Sequence, residues 1–412
     1  MGGTPSNTRS GEQARLPLFD SLRALAVIAI LVFHCSAPAG ELGPGHPLRA
    51  YLTRLDAGVW LFFVISGVLL YRPFVAARLG GDPSLAVGAY AWRRVLRIVP
   101  AYWVALTVVT IWRAHPGVFT ASGIPTFYGF LQTYSTPASL DGHGLGQAWS
   151  LCVEMAFYVF LPCYALALRA IPARTPRSRL KIELAGLAVL VVVSTAWKLV
   201  VIEGMPTPLG FKPTIVALPV YLDVFAVGMG FAVLHAWYAQ DGAVPRPLRV
   251  LDRWPSLAWL AALAAFWVVC TRIGLTTIEG YTRAQYMERH LLNLVIAAAL
   301  VLPAVVGDQR RGVVRRVLAN RVLLFVGVIS YGIFLYQGAV LEQLTVWGVG
   351  TAHAQHRLLE WVLSAAVFST AIAVLSWYLL ERPILRLKSR VPFRMRRPAP
   401  QPEPAPALAP AP

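Results

Sequence analysis

Residues 19–36 read FDSLRALAVIAILVFHCS, an apolar run with Arg23 near its start and His34 near its end. Its length suits a bilayer crossing, which takes roughly 20 apolar residues. Lipid should exclude both ionisable side chains, so the run raises two questions: how many such spans there are, and what these two residues do. Of the 412 residues, 57% are hydrophobic and 14% charged, whereas a soluble domain carries about 25% charged residues. Counting 18–37 as the first, nine further apolar runs follow, at about 56–77, 98–113, 148–168, 182–202, 214–236, 256–274, 289–306, 322–346 and 358–380. The stretch 124–136 is apolar but short, the size of a re-entrant segment. The expected fold is an all-α polytopic membrane protein with about ten transmembrane helices.

The formal net charge of +18 raises nucleic acid as a partner. Placement argues otherwise. With the N-terminus taken as cytoplasmic, 27 Lys and Arg fall in the tails and even-numbered loops, against eight on the other side. That asymmetry is the positive-inside pattern, and it puts both termini in the cytoplasm. The charge then faces the anionic headgroups of the lipid bilayer, with no role for nucleic acid. The Ala/Val/Arg/Pro-rich composition fits a bacterial protein, and the expected location is the cytoplasmic (plasma) membrane as a multi-pass protein.

Arg9 and Arg15, the apolar core and Ala37-Pro38-Ala39 together imitate a cleavable signal peptide. The core is long for one and contains Arg23, so an uncleaved first span is expected. Cys35, Cys152, Cys163 and Cys270 fall in expected spans with no C-x-x-C pair and no metal-ligand spacing, so no metal is expected. The resulting layout is a cytoplasmic N-terminal segment at 1–17, a transmembrane domain at 18–387, and a tail at 388–412. The tail is basic, then Pro/Ala-rich, and is expected to be disordered. Oligomeric state is not legible.

Arg23 and His34 are 11 residues apart, about 20° beyond three helical turns and roughly 16 Å along the axis. They share a face, Arg23 near the cytoplasmic end and His34 near the outer end. The plain alternatives are an arginine snorkelling to inner headgroups and a histidine that only packs. In QAWSLCVEMAFYVFLP (147–162), Ser150 and Glu154 are i and i+4 on one helix face, at a depth comparable to His34. A carboxylate meeting an imidazole orients its tautomer, so Glu154 is expected to pair with His34; a structural glutamate is the alternative. In AYAWRRVLRIVPAYW (89–103), Arg94 and Arg97 lie one turn apart at the cytoplasmic face. Paired guanidiniums suit phosphates, though simple membrane anchoring would use them too.

Taken together, these stretches resemble the acyltransferase-3 family of integral membrane O-acyltransferases, over nearly the whole chain. FDSLRALAVIAILVFH is similar to its first-helix signature. LFFVISGVLL (61–70) is similar to its F-F-x-x-S-G segment, RRVLRIVPAYW carries R-x-x-R at Arg94 and Arg97, and WSLCVEMAFYVFLP matches W-S-L-x-x-E-x-x-F-Y-x-x-x-P. VFAVGMGFAV (224–233), ISYGIFLYQ (329–337) and ERPILRL (381–387) follow in order. The resemblance implies an acyl-CoA donor, usually acetyl-CoA, and a sugar hydroxyl on a cell-surface or lipid-linked glycan as acceptor. It implies catalytic roles at His34, Ser150 and Glu154 and donor-binding roles at Arg23, Arg94 and Arg97. One position departs: Gln337 stands where the family often has a second histidine.

The mechanism expected from this is donor phosphates at Arg94, Arg97 and Arg23, and a pantetheine arm along the Arg23–His34 face. His34 then acts as general base or is transiently acylated, with Glu154 orienting it. Ser150 positions Glu154 or donates to the oxyanion. The alternative class is a transporter with an intramembrane charge relay through Lys198, Asp223 and Glu342; it should bring internal repeats and broken spans, and none is evident. Asp223 lacks a role, with Lys198 or Arg289 as the expected partner. His290, His235, His143 and His46, at span ends or in loops, are read as uninvolved.

Overall fold

The computed structural model describes residues 18–390, apart from residue 44 and the segments 82–86, 136–143, 205–212, 242–247, 274–280, 308–310 and 351–355. The N-terminal segment 1–17, the tail from 391 and His143 lie outside the described residues. Among the described residues, ten helices are long and apolar enough to cross a membrane. They are α1 (Leu18–Ser36), α2 (Gly58–Gly80), α3 (Val87–Trp112), α4 (Trp149–Ala170) and α5 (Pro176–Glu203). Then come α6 (Leu218–Asp241), α7 (Ser256–Ile273), α8 (Arg283–Val305), α9 (Arg321–Val346) and α10 (Arg357–Ser376). Helices satisfy their own backbone groups, which hydrocarbon requires. The expected all-α architecture is what the chain adopts.

Local chemistry sets several helix starts. Thr175 and Ser178 form a capping box at α5, with Pro176 in the first turn. Thr282 and Gln285 do the same at α8, and Asn320 accepts from the Val322 and Leu323 amides at α9. The third span was expected from 98 but begins at Val87. Arg93, Arg94 and Arg97 interrupt the hydropathy there without interrupting the helix. The short apolar stretch at 124–136 forms a helix at Gly123–Tyr128 and a 3-10 turn at Gln132–Tyr134. It is fastened to α3, where the Tyr102 hydroxyl donates to the Phe127 carbonyl at 2.9 Å and the Trp103 indole to that of Tyr128 at 3.0 Å.

Small residues let particular helices touch backbone to backbone, the usual way of packing in a membrane. At the α2–α6 crossing, a methyl on Gly67 or on Gly228 would stand 3.0 Å from the other's Cα. At the α9–α10 crossing, a methyl on Gly332 would stand 2.9 Å from Ala373 Cβ. Gly327 of α9 packs against the Asp20 backbone of α1. The helices α1, α2, α6 and α9 therefore form a tight centre. Apolar side chains such as Val192, Val200, Leu260, Leu263 and Trp267 point outward from α5 and α7, as lipid-facing residues do.

Candidate active site

Two cavities open inside the bundle, one at each end of α1. The first, about 90 Å³, is lined by Arg23, Arg94, Arg97, Ser66, Glu154, Tyr158, Ser330 and Tyr331. The second, about 220 Å³, is lined by His34, Asp56, Trp60, Trp149, Tyr221, Tyr286, Arg289 and His290. Val59, Ser150 and Phe334 line both, so the two volumes meet at a waist made of those three side chains. We call them the arginine cavity and the histidine cavity. Arg23 and His34, eleven residues apart on one continuous helix, reach one cavity each.

The arginine cavity gathers three guanidiniums around one carboxylate. Arg23 pairs with Asp20 at 3.1 Å, one turn away. Arg97 is 3.6 Å from Glu381 and stacks over Tyr331 and Trp377, with centroid distances of 6.0 and 5.7 Å. Trp377 and Glu381 reach it because the chain forms a π-helical turn at Trp377–Glu381, just after α10. Such turns recur at functional sites, where they re-aim side chains. Arg94 makes no ion pair among the described residues, and its Nε is buried without a hydrogen-bond partner. A cavity with this donor surplus fits an anion, and planar guanidiniums fit phosphate best.

Glu154 stands in the arginine cavity, which corrects the expected pairing with His34. Its Oε1 accepts from Ser66 at 2.5 Å and from Tyr158 at 2.8 Å. The reason is depth: Glu154 lies one turn, about 6 Å, further along α4 than Ser150. Ser150 reaches the waist and Glu154 passes it. Ser66 belongs to LFFVISGVLL and Tyr158 to WSLCVEMAFYVFLP; both stand at matched motif positions, and neither was expected to have a role. Their signal was a hydroxyl on an otherwise apolar helix.

In the histidine cavity, His34 has its ring beside Phe33 and the Gln337 amide beside it. Gln337 is wholly buried, and its amide atoms have no other hydrogen-bond partner. Asp56 forms an ion pair with Arg289, whose guanidinium lies 5.1 Å from the Trp60 ring centroid. Asp223 is bonded to Lys198 at 2.5 Å and to His290 Nε2 at 2.9 Å. The expected partner Lys198 is thus present, Arg289 is engaged by Asp56, and His290, read as uninvolved, is central. A histidine near the start of a span was discounted on position alone. Glu342, the third member of the imagined transport relay, is 44% exposed and pairs with Arg113 at 2.8 Å, apart from Lys198 and Asp223. Among the described residues, no cluster of three His, Cys, Asp or Glu side chains is placed to hold a metal ion.

Comparison with known proteins agrees with this arrangement of motifs. Residues 17–381 match the family model described as an acyltransferase domain. The chain is 25% identical over 384 residues to peptidoglycan O-acetyltransferase OatA of Listeria monocytogenes, covering 90% of this chain and 56% of that protein. It is 22% identical over 355 residues to a putative O-acetyltransferase of Staphylococcus aureus, covering 83% and 53% respectively. It is 26% identical over 412 residues to nodulation protein 10 of Rhizobium leguminosarum bv. viciae, covering 93% and 97%. The chain therefore spans about half the length of the first two relatives and nearly all of the third. No solved structure matches it. With a family model matched from the start of the first span to the end of the last, this chain belongs to the acyltransferase-3 family.

Proposed function

We propose that this chain is a membrane O-acyltransferase that moves an acyl group, acetyl in the first place, from acyl-CoA to a sugar hydroxyl. The acceptor is a cell-surface or lipid-linked glycan or a glycosylated product. The observation that carries this reading is the pair of cavities meeting at Val59, Ser150 and Phe334, with three arginines in one and His34 in the other. A transfer between partners on opposite sides of a membrane needs two sites and a narrow junction. A relative named peptidoglycan O-acetyltransferase supports acetyl as the group and a glycan as the acceptor.

In this scheme Arg94 and Arg97, with Arg23, hold the donor phosphates at the cytoplasmic end, where the excess of basic residues puts that end of α1. The slender pantetheine arm suits the smaller cavity and a sugar ring suits the larger. The thioester reaches the waist, so Ser150 is positioned to donate a hydrogen bond to the developing oxyanion. Glu154, fixed by Ser66 and Tyr158, lies on the donor's side of the waist and bounds the site that the arginines make. His34 meets the reacting carbon from the other side, its imidazole suited to take a proton or to carry the acyl group.

The test is chemical. Surface glycans and secreted glycosides of a deletion strain, complemented with wild type or His34→Ala, are examined by NMR for O-acyl esters. Esters restored by wild type and not by His34→Ala support the reading. Equal restoration by both removes His34 from the mechanism.

A further inference from the structure

The histidine cavity contains a second imidazole that the scheme above does not use. His290 comes from α8, His34 from α1, and both line the same volume. His290 is 2% exposed, Lys198 2% and Asp223 3%, three ionisable side chains together deep in a bundle. Such groups are expensive within a bilayer and mark function by default. Structural cross-linking alone would need only the Lys198–Asp223 pair.

Hydrogen-bond arithmetic indicates which ring nitrogen is available. Asp223 Oδ1 accepts from the Val224 amide at 2.9 Å, and Oδ2 accepts from Lys198 at 2.5 Å. Lys198 has further acceptors in Ser194 Oγ at 3.2 Å and the Val220 carbonyl at 3.3 Å, which use its remaining protons. His290 Nε2 lies 2.9 Å and 3.1 Å from the two carboxylate oxygens and 2.9 Å from Lys198 Nζ. In the tautomer where the three Lys198 protons go to Asp223, Ser194 and Val220, Nε2–H donates to Asp223 and the Nδ1 lone pair is left for the cavity. The ring edge is held between Trp60 and Tyr221, at centroid distances of 5.8 and 6.1 Å. A carboxylate behind an imidazole fixes its tautomer and orientation, the arrangement of a general base. His34 has a neutral amide, Gln337, beside it instead.

We propose that His290, with Asp223 as its positioning residue, is the base for the acceptor hydroxyl, and that His34 carries the acyl group. This rests on the acyltransfer reading and divides its chemistry between two residues. In the first half, a His34 ring nitrogen bonds to the thioester carbon. The carbon–sulfur bond breaks with its electron pair on sulfur, and the proton from the other His34 nitrogen goes to the thiolate. Free CoA leaves and a neutral acyl-imidazole remains. In the second half, the acceptor oxygen bonds to the acyl carbon and gives its proton to His290 Nδ1. The carbon–nitrogen bond breaks with its pair returning to His34, which recovers a proton from His290. The sum is hydroxyl plus thioester giving ester plus thiol.

The experiment uses the purified full chain in lipid nanodiscs, with acetyl-CoA as the probe and released CoA measured by chromatography, alongside ester content in the complemented deletion strain. Without acceptor, wild type should release about one CoA per protein and then slow. His290→Gln should keep that burst and lose ester by about 100-fold or more, the lower range of general-base catalysis. Asp223→Asn should keep the burst and lose ester about 10- to 100-fold, as for an orienting partner. His34→Ala should show no burst while still binding acetyl-CoA. The proposal is overturned if His290→Gln makes normal ester, or loses the burst while still binding acetyl-CoA. If His290→Gln fails to bind acetyl-CoA, Asp223→Asn decides by the same two readouts. Wild type that neither releases CoA nor makes ester sinks the acyltransfer reading instead.

Discussion

The arginine cavity and the histidine cavity share α1, α2, α4 and α9, with α3 added to the first and α6 and α8 to the second, and they differ in how their charges are spent. In the first, Arg94 has an unpartnered Nε and the cationic side chains outnumber the lining carboxylates. In the second, Asp56 is matched by Arg289 and Asp223 by Lys198, leaving two imidazoles facing an otherwise neutral, aromatic-walled space. A surplus of fixed positive charge attracts a multiply charged anion and holds it by hydrogen bonds. A balanced, aromatic-walled space does little for an anion, and suits a neutral ring whose hydroxyl must lose a proton. Under the proposed scheme, binding falls to one end of α1 and chemistry to the other.

Substitutions on the two sides should therefore fail differently. His34→Ala should lower kcat most, by roughly 100- to 10,000-fold, the range for an acid–base or nucleophilic side chain, with acetyl-CoA affinity unchanged. Steady-state kinetics with a binding isotherm check it; weakened donor binding would erase the contrast. Arg94→Ala and Arg97→Ala should do the opposite, raising the donor KM about 10- to 100-fold, in line with the 1.5–3 kcal/mol of a charged hydrogen bond. Removing the phosphates from the donor, by using a pantetheine thioester, should abolish most of that difference.

Ser66→Ala should have a smaller effect. It leaves Glu154 held by Tyr158 alone, and activity should fall about tenfold, the effect of one hydrogen bond to a charged group. Measuring kcat and KM separately locates it: an effect on the donor KM agrees with Glu154 standing on the arginine side. The smallest effect is at the waist. Phe334→Ala should shift preference from acetyl-CoA toward propionyl-CoA by about fourfold, the worth of one methylene. An unchanged ratio would mean that the acyl group does not sit between the two cavities.

Much of this was legible in the sequence because spans and helix faces are local properties. Ten apolar runs became ten helices, and the spacing of Arg23 and His34 placed them on one face before any neighbour was known. Depth was harder. Ser150 and Glu154 share a face of α4, yet one turn separates the waist from the arginine cavity, and span boundaries read from hydropathy are no sharper than a turn. His290 was hidden for another reason. Its partners lie 67 and 92 residues away on α6 and α5, and nothing local tells a buried histidine near a helix start from one in a headgroup layer. Asp223 and Lys198 were the clue: two opposite charges inside adjacent spans demand company, and a third polar side chain was to be sought among the remaining helices.

In the proposed scheme the acyl group enters from one side of the membrane and leaves on the other. Membrane vesicles sealed with the cytoplasmic face outward, prepared from the complemented deletion strain, are given radiolabelled acetyl-CoA outside. Label should appear as ester on glycan inside the lumen, protected from an added esterase until detergent opens the vesicles, while the released CoA stays outside. Ester that forms on the outer surface of these vesicles, open to esterase without detergent, would contradict a path through the two cavities.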